Sequence, residues 1–174
     1  VLALSVPRAG AFSRSEVDRL VEQAKAAGLA GLAWLKLTDG GAESPIAKFL
    51  TPAEILGMRA AANAQAGDLL LFAAAPLMTA ARALGGFRVS LAGKQGLIPK
   101  DRWAFCWVTD FPLMEWDAEE KRPVAMHHPF TSPSLVGADL QAALSSPDHL
   151  VSVRARAYDI VLNGYEIGGG SIRI

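Results

Sequence analysis

The stretch Gly164-Tyr165-Glu166-Ile167-Gly168-Gly169-Gly170-Ser171-Ile172-Arg173-Ile174 sets an acid and a guanidinium on either side of a triple glycine, inside an otherwise apolar, strand-like run. Glycine weakens a strand because it loses the most backbone entropy on folding and packs nothing. Three in a row therefore predict that something approaches the backbone closely. Glu166 and Arg173 are seven positions apart. Side chains alternate along a strand, so an unbroken strand would send these two to opposite faces. Sharing one pocket requires one extra residue, and the expectation is a bulge or kink within Gly168–Gly170, since a single inserted residue reverses the alternation.

Working outward, Asn163-Gly164 reads as a turn, and Val153 to Leu162 before it as strand or helix. Trp103 to Phe111 is aromatic and β-rich, and Leu113 to Asp117 and Pro123 to Met126 read as strands around a hairpin tip at Glu119-Glu-Lys-Arg122. The segment from Pro133 to about His149 reads as polar loop. Few helices and several hairpin-like strands predict an antiparallel sheet that is only partly present here.

Residues 1–97 have a different rhythm. Val1 to Val6 reads as a strand. Ser13-Arg-Ser-Glu16 and Thr51-Pro-Ala-Glu54 are capping boxes, the second with Pro52 at the first helical position. Val17, Leu20, Val21 and Ala24 follow the first box at helical spacing, and Gly28 supplies a stop. Leu29 to Leu37 and Leu69 to Ala74 read as strands, Thr38 to Pro45 as a loop, the second helix as running to about Gln65, and a third from Pro76 to about Leu91. The chain is thus expected to be α+β, with a small two-layer domain over residues 1–97 and a partial antiparallel sheet over 98–174.

Composition bounds the function. The 174 residues are 51% hydrophobic and 20% charged, enough to bury a core. Lys+Arg 17 against Asp+Glu 17 gives net charge +0, without the basic excess of a free-standing nucleic-acid binder. No run approaches the ~20 apolar residues of a membrane span. Cys106, the one cysteine, cannot form an internal disulfide or a zinc cluster; its aromatic neighbours predict a buried core thiol in a reducing compartment. Val1 already reads as strand with no initiator Met, so a longer parent protein is expected.

Several residue sets carry chemistry. Glu166 suits a divalent cation and Arg173 a carboxylate held bidentately, while an internal ion pair or two solvated edge residues is the plainer alternative. His127-His128 sits at a strand-to-loop edge before Pro129, where adjacent side chains diverge, so at most one histidine is expected to face a given pocket. With no HExxH and no second histidine cluster, a substrate or core hydrogen bond is expected there rather than a metal. Gly168-Gly-Gly-Ser171 lacks the Lys-Ser/Thr ending of a Walker loop. Arg154 and Arg156 share a strand face and suit either RNA or solvent.

Four blocks occur in order: Trp107-Val-Thr-Asp-Phe-Pro-Leu113, His127-His-Pro-Phe-Thr-Ser-Pro133, Arg156-Ala-Tyr-Asp159 and Leu162-Asn-Gly-Tyr-Glu-Ile-Gly-Gly-Gly-Ser-Ile-Arg173. Together they resemble bacterial-type aspartyl-tRNA synthetase. Gly31-Leu-Ala-Trp-Leu-Lys36, Ser44-Pro-Ile-Ala-Lys-Phe-Leu50 and Gly67-Asp-Leu-Leu-Leu-Phe72 are similar to that family's GAD insertion domain. The resemblance implies a GAD domain over 1–97 and part of a class II synthetase catalytic domain over 98–174, built on an antiparallel sheet. It implies an aspartate–tRNA ligase that activates L-aspartate with ATP and passes it to tRNA(Asp), as a cytoplasmic homodimer. By motif match Glu166 is the acid that binds ATP, usually through Mg²⁺; Arg173 grips the aspartate side-chain carboxylate; His127 and His128 form the loop near its amino group; and Gly168, Gly169 and Gly170 allow close approach to the backbone.

The resemblance also implies that the anticodon-binding barrel and the three signature motifs of class II enzymes lie outside these residues, so that the chain alone is inactive. Two other readings compete: a non-catalytic GAD-type tRNA-binding module, as in B-type subunits of tRNA-dependent amidotransferases, and a metal hydrolase using His127, His128 and Glu166.

Overall fold

A computed structural model describes all residues 1–174 and divides them into two compact units, Val1–Pro99 and Lys100–Ile174. The first unit contains β1 (Leu2–Val6), α1 (Arg14–Ala26), β2 (Ala33–Thr38), β3 (Gly41–Glu43), α2 (Pro52–Ala61), β4 (Leu69–Ala73) and α3 (Leu77–Lys94). Its sheet has the order β1-β4-β2-β3, and every neighbouring pair is antiparallel. β4 thus slots between β1 and β2, a split β-α-β arrangement.

β4 explains the packing. Leu69, Leu70 and Leu71 are all fully buried, so this central strand is apolar on both faces. Each such leucine contributes about 1.5–3 kcal/mol relative to an exposed one. Leu69, Leu71 and Ala73 join Val6 and the inner stripes of α1 (Leu20, Ala24) and α3 (Ala80, Ala83, Leu84, Phe87, Leu91) in one core cluster. On the opposite face Leu70 joins Leu35 and Leu37, with Ile55 and Met58 of α2 packed against them. The second face is therefore also covered, by one short helix.

Both capping boxes form. The Glu16 N–H donates to Ser13 Oγ at 3.3 Å while Ser13 N–H donates to the Glu16 carboxylate at 2.7 Å; Glu54 and Thr51 repeat the pattern at 3.3 and 2.7 Å. Ser13 Oγ also donates to the Glu16 carboxylate at 2.7 Å and Thr51 Oγ1 to that of Glu54 at 2.8 Å, and the bonds the carboxylates accept hold both below their ordinary pKa, led by the Ser13 side chain at Glu16 and by the Thr51 backbone at Glu54. α2 ends at Ala61 rather than near Gln65, because Asn63 takes a left-handed φ of 47° and Ala64 N–H turns back to the Arg59 carbonyl at 2.9 Å. The expected loop after Thr38 holds the three-residue β3, which folds back on β2 with Gly41 opposite Thr38.

The second unit contains β5 (Phe105–Val108), β6 (Met114–Asp117), β7 (Arg122–Ala125), α4 (Gly137–Leu144), α5 (Pro147–Leu150), β8 (Ala157–Leu162) and β9 (Tyr165–Ser171). The strands form an antiparallel sheet β5-β8-β9 and a separate hairpin β6-β7. Asn163 (φ 50°) and Gly164 (φ 87°) make the tight turn between β8 and β9.

Two expectations are corrected here. The expected loop holds two short helices, α4 and α5; α4 starts after Val136 with no side-chain cap, and its eight residues are too few to show a clear period. Cys106 is exposed rather than buried, because all four residues of β5 lie open.

Candidate functional site

The geometry of β8 and β9 builds the site. Ala157 pairs with Ser171, Tyr158 with Gly170, Asp159 with Gly169 and Ile160 with Gly168; the register then slips, so that Val161 faces Glu166 and Leu162 faces Tyr165. Ile167 is the extra residue, with no partner across the ladder. The bulge expected within the glycine run therefore lies one residue earlier, and Gly168–Gly170 pair regularly. The slip still does what the parity argument required. Directly opposed residues share a face, so Asp159, Glu166, Ser171 and Arg173 all project from one side of the sheet.

The triple glycine makes room on both faces. A Cβ on Gly169 would overlap Asp159 Oδ1, on the Glu166 side. A Cβ on Gly170 would sit 3.0 Å from the Tyr158 phenolic oxygen, and one on Gly168 3.6 Å from Ile160, both on the other side. There Tyr158 also meets Trp107 edge-to-face, with centroids 6.0 Å apart.

An open cavity of about 290 Å³ is lined by His127, His128, Ala157, Asp159, Glu166, Gly170, Ser171 and Arg173. Both histidines line it, contrary to the expectation of one, because they lie in the bend after β7 and escape strand alternation. His128 Nδ1 accepts the Phe130 N–H at 3.1 Å, which leaves Nε2 to carry the proton of the neutral ring. His127 stacks edge-on against Phe111 at 5.4 Å, and its Nε2 is buried without a hydrogen-bond partner. The internal ion pair that competed for Glu166 and Arg173 is not formed. The three ion pairs of the chain are Arg14–Asp18, Lys25–Glu22 and Arg122–Glu120.

Arg173 is braced from below. Its Nη1 donates to Thr131 Oγ1 at 3.4 Å, and that hydroxyl lies 3.3 Å from Ser171 Oγ. Sequence reasoning did not single out Asp159, Ser171 or Thr131. Asp159 was within reach: the two-residue Asn163-Gly164 turn fixes Val161 opposite Glu166, and Asp159 lies two residues along the same strand face. His127, His128 and Glu166 line one cavity, yet no three His, Cys, Asp or Glu side chains gather closely enough to hold a metal by themselves.

The cavity combines an unpaired guanidinium, two carboxylates and two imidazoles on an antiparallel sheet, the groups that a small, multiply charged ligand would need. Comparison with known proteins shows what the chain is similar to. Residues 1–84 match the GAD domain family. Over its whole length the chain is 51% identical, across 174 residues, to an aspartate–tRNA(Asp/Asn) ligase of Nitratidesulfovibrio vulgaris, of which it covers 28%. It is 49% identical across 176 residues to the ligase of that name from Persephonella marina, covering 29% of it, and 51% identical across 174 residues to that from Geotalea uraniireducens, covering 28%. The chain thus carries a match to the GAD domain over residues 1–84, is similar over its whole length to aspartate–tRNA(Asp/Asn) ligases, and spans little more than a quarter of the length of these relatives. No helix is long and apolar enough to cross a membrane.

Proposed function

We propose that this chain is the GAD domain and part of the class II catalytic domain of an aspartate–tRNA ligase, which joins L-aspartate to tRNA using ATP. The observation that carries the reading is the convergence of Arg173, Glu166 and Asp159 on one face, around a cavity with both histidines. Match to ligases across both units, rather than across the GAD domain alone, disfavours a free-standing GAD-type module.

Arg173 would take the side-chain carboxylate of aspartate through two parallel N–H bonds. Asparagine would present an NH₂ donor to the same fork and lose the charge-assisted contact, a penalty of roughly several kcal/mol if the fork is desolvated. His127 and His128 would face the amino-acid end of the substrate, and the unpartnered His127 Nε2 offers a polar atom for it to satisfy. Asp159 and Glu166 are hard oxygen donors, the set that suits Mg²⁺, an ion that shares its sphere with substrate phosphates and water. They would hold it against ATP, and a bound Mg²⁺ supplies positive charge near the reacting phosphate. The relatives are named for tRNA(Asp/Asn), and tRNA of those two kinds is the proposed acceptor. The intact enzyme would act in the cytoplasm as a homodimer.

The test is kinetic. In the full-length protein, Arg173→Ala is expected to raise the aspartate KM by at least tenfold or abolish aspartate-dependent ATP–pyrophosphate exchange; unchanged aspartate kinetics would defeat the assignment. The 174-residue chain alone is expected to show no exchange. Measurable exchange by it would overturn the view that other parts of the enzyme complete the site.

A further inference from the structure

Thr131 is the buried polar side chain of the second unit, only 4% exposed. It stands directly across from Arg173. Ile174 N–H donates to the Phe130 carbonyl at 3.0 Å, and Ser132 N–H to the Ile172 carbonyl at 2.8 Å. Those two bonds flank residues 131 and 173 and make them a non-hydrogen-bonded pair, the type in which cross-strand side chains approach most closely. Thr131 Oγ1 meets Arg173 Nη1 at 3.4 Å and Ser171 Oγ at 3.3 Å. Its own N–H donates to the His128 carbonyl at 2.9 Å. One residue thus ties the arginine strand to the histidine loop.

We propose that Thr131 is a positioning residue that sets the orientation of the Arg173 guanidinium, and through it the enzyme's grip on a substrate carboxylate. The inference rests on the reading of Arg173 as the carboxylate clamp. An arginine with no carboxylate partner keeps most of its rotamer freedom, and a fork that wanders recognises a planar carboxylate poorly. A buried hydroxyl engaging one N–H holds the plane while leaving the other four donors free. Ser171 in turn orients the threonine hydroxyl.

The experiment uses ATP–pyrophosphate exchange by the full-length protein, with aspartate and ATP varied separately. Thr131→Val removes the hydroxyl at nearly constant shape. It is expected to raise the aspartate KM about tenfold, equivalent to one lost hydrogen bond to a charged group, with kcat and the ATP KM within about twofold. Thr131→Ser restores the hydroxyl and is expected to recover the aspartate KM to within about twofold. An unchanged aspartate KM in Thr131→Val, failure of Thr131→Ser to rescue, or an equal rise in the ATP KM each overturns the inference. If Thr131→Val does not fold, Ser171→Ala decides: about a threefold rise in the aspartate KM supports the inference and no change defeats it. Arg173→Ala runs alongside. If it alone raises the aspartate KM, the positioning role falls and the clamp stands; if it has no effect, the clamp itself falls.

Discussion

Glu166 and Arg173 line one cavity although they stand an odd seven positions apart, because the β8-β9 ladder slips by one residue at Ile167. The slip converts an odd spacing into a shared face. Deleting Ile167 is expected to restore regular pairing and turn Glu166 away from Arg173. In the full-length protein, aspartate-dependent exchange should fall by two orders of magnitude or more, in proportion to the loss of a correctly placed group, while Ile167→Val, which keeps the extra residue, stays close to wild type. Equal activity in the two variants would show that the shared face is not needed.

Gly169 and Gly170 are adjacent but serve opposite faces. A side chain at Gly169 collides with the Asp159 carboxylate, and one at Gly170 crowds the Tyr158 ring. Gly169→Ala is therefore expected to raise the Mg²⁺ concentration needed for half-maximal exchange severalfold. Gly170→Ala should leave that requirement unchanged and instead lower thermal stability by roughly 0.5–1.5 kcal/mol, as the half-exposed Tyr158 ring is pushed off its rotamer. A magnesium titration of both variants, with thermal melts, distinguishes the two effects.

Asn163 does two jobs. It takes a positive φ in the β8-β9 turn, and its side-chain amide clamps the entry to β5, donating to the Arg102 carbonyl at 2.9 Å and accepting the Ala104 N–H at 2.8 Å. Asn163→Gly keeps the turn and loses the clamp; Asn163→Ala loses both. Destabilisation of about 1 kcal/mol is expected for the first and about 1 kcal/mol more for the second, from the left-handed backbone. Denaturant melts monitored at Trp103 and Trp107 measure the difference.

The two capping boxes make the first unit acid-sensitive. Glu16 and Glu54 ionise more readily folded than unfolded, held down by Ser13 and Thr51. Their stabilising contribution is complete above the unfolded glutamate pKa of about 4.3 and is lost as pH falls through the lower folded value. Hydrogen exchange at the first-turn amides of α1 and α2 should accelerate, beyond the intrinsic pH dependence, as pH drops from about 5 to about 3. The Glu16→Gln/Glu54→Gln double variant should remove that extra acceleration. An unchanged profile in the double variant would show that these carboxylates are not the cause.

Much of the local structure was legible because it rests on short-range chemistry. Ser13 with Glu16 and Thr51 with Glu54 start α1 and α2 where the boxes predict, and the β6-β7 hairpin turns at Ala118–Lys121, one residue before the expected tip. Helix α4 was not legible, since Val136 offers no cap and two turns carry little periodicity. Cys106 misled for a different reason. Its apolar neighbours signal burial, but burial needs a second layer, and within this chain β5 is open on all four residues. Neither the second face of the first sheet, covered by α2, nor the small strand β3 could be read from local pattern.

By itself the sequence marked Glu166, Arg173, His127 and His128 as candidates and determined that Glu166 and Arg173 need a break in alternation to share a face, because strand parity is a property of the chain. Only the tertiary structure decided where the break falls, since a bulge is a mismatch between two strands and cannot be located in one. It placed the slip at Ile167 and left the glycines in register to make room for Asp159 and Tyr158. It also brought in Thr131, 42 residues from Arg173 along the chain and its direct partner across the sheet.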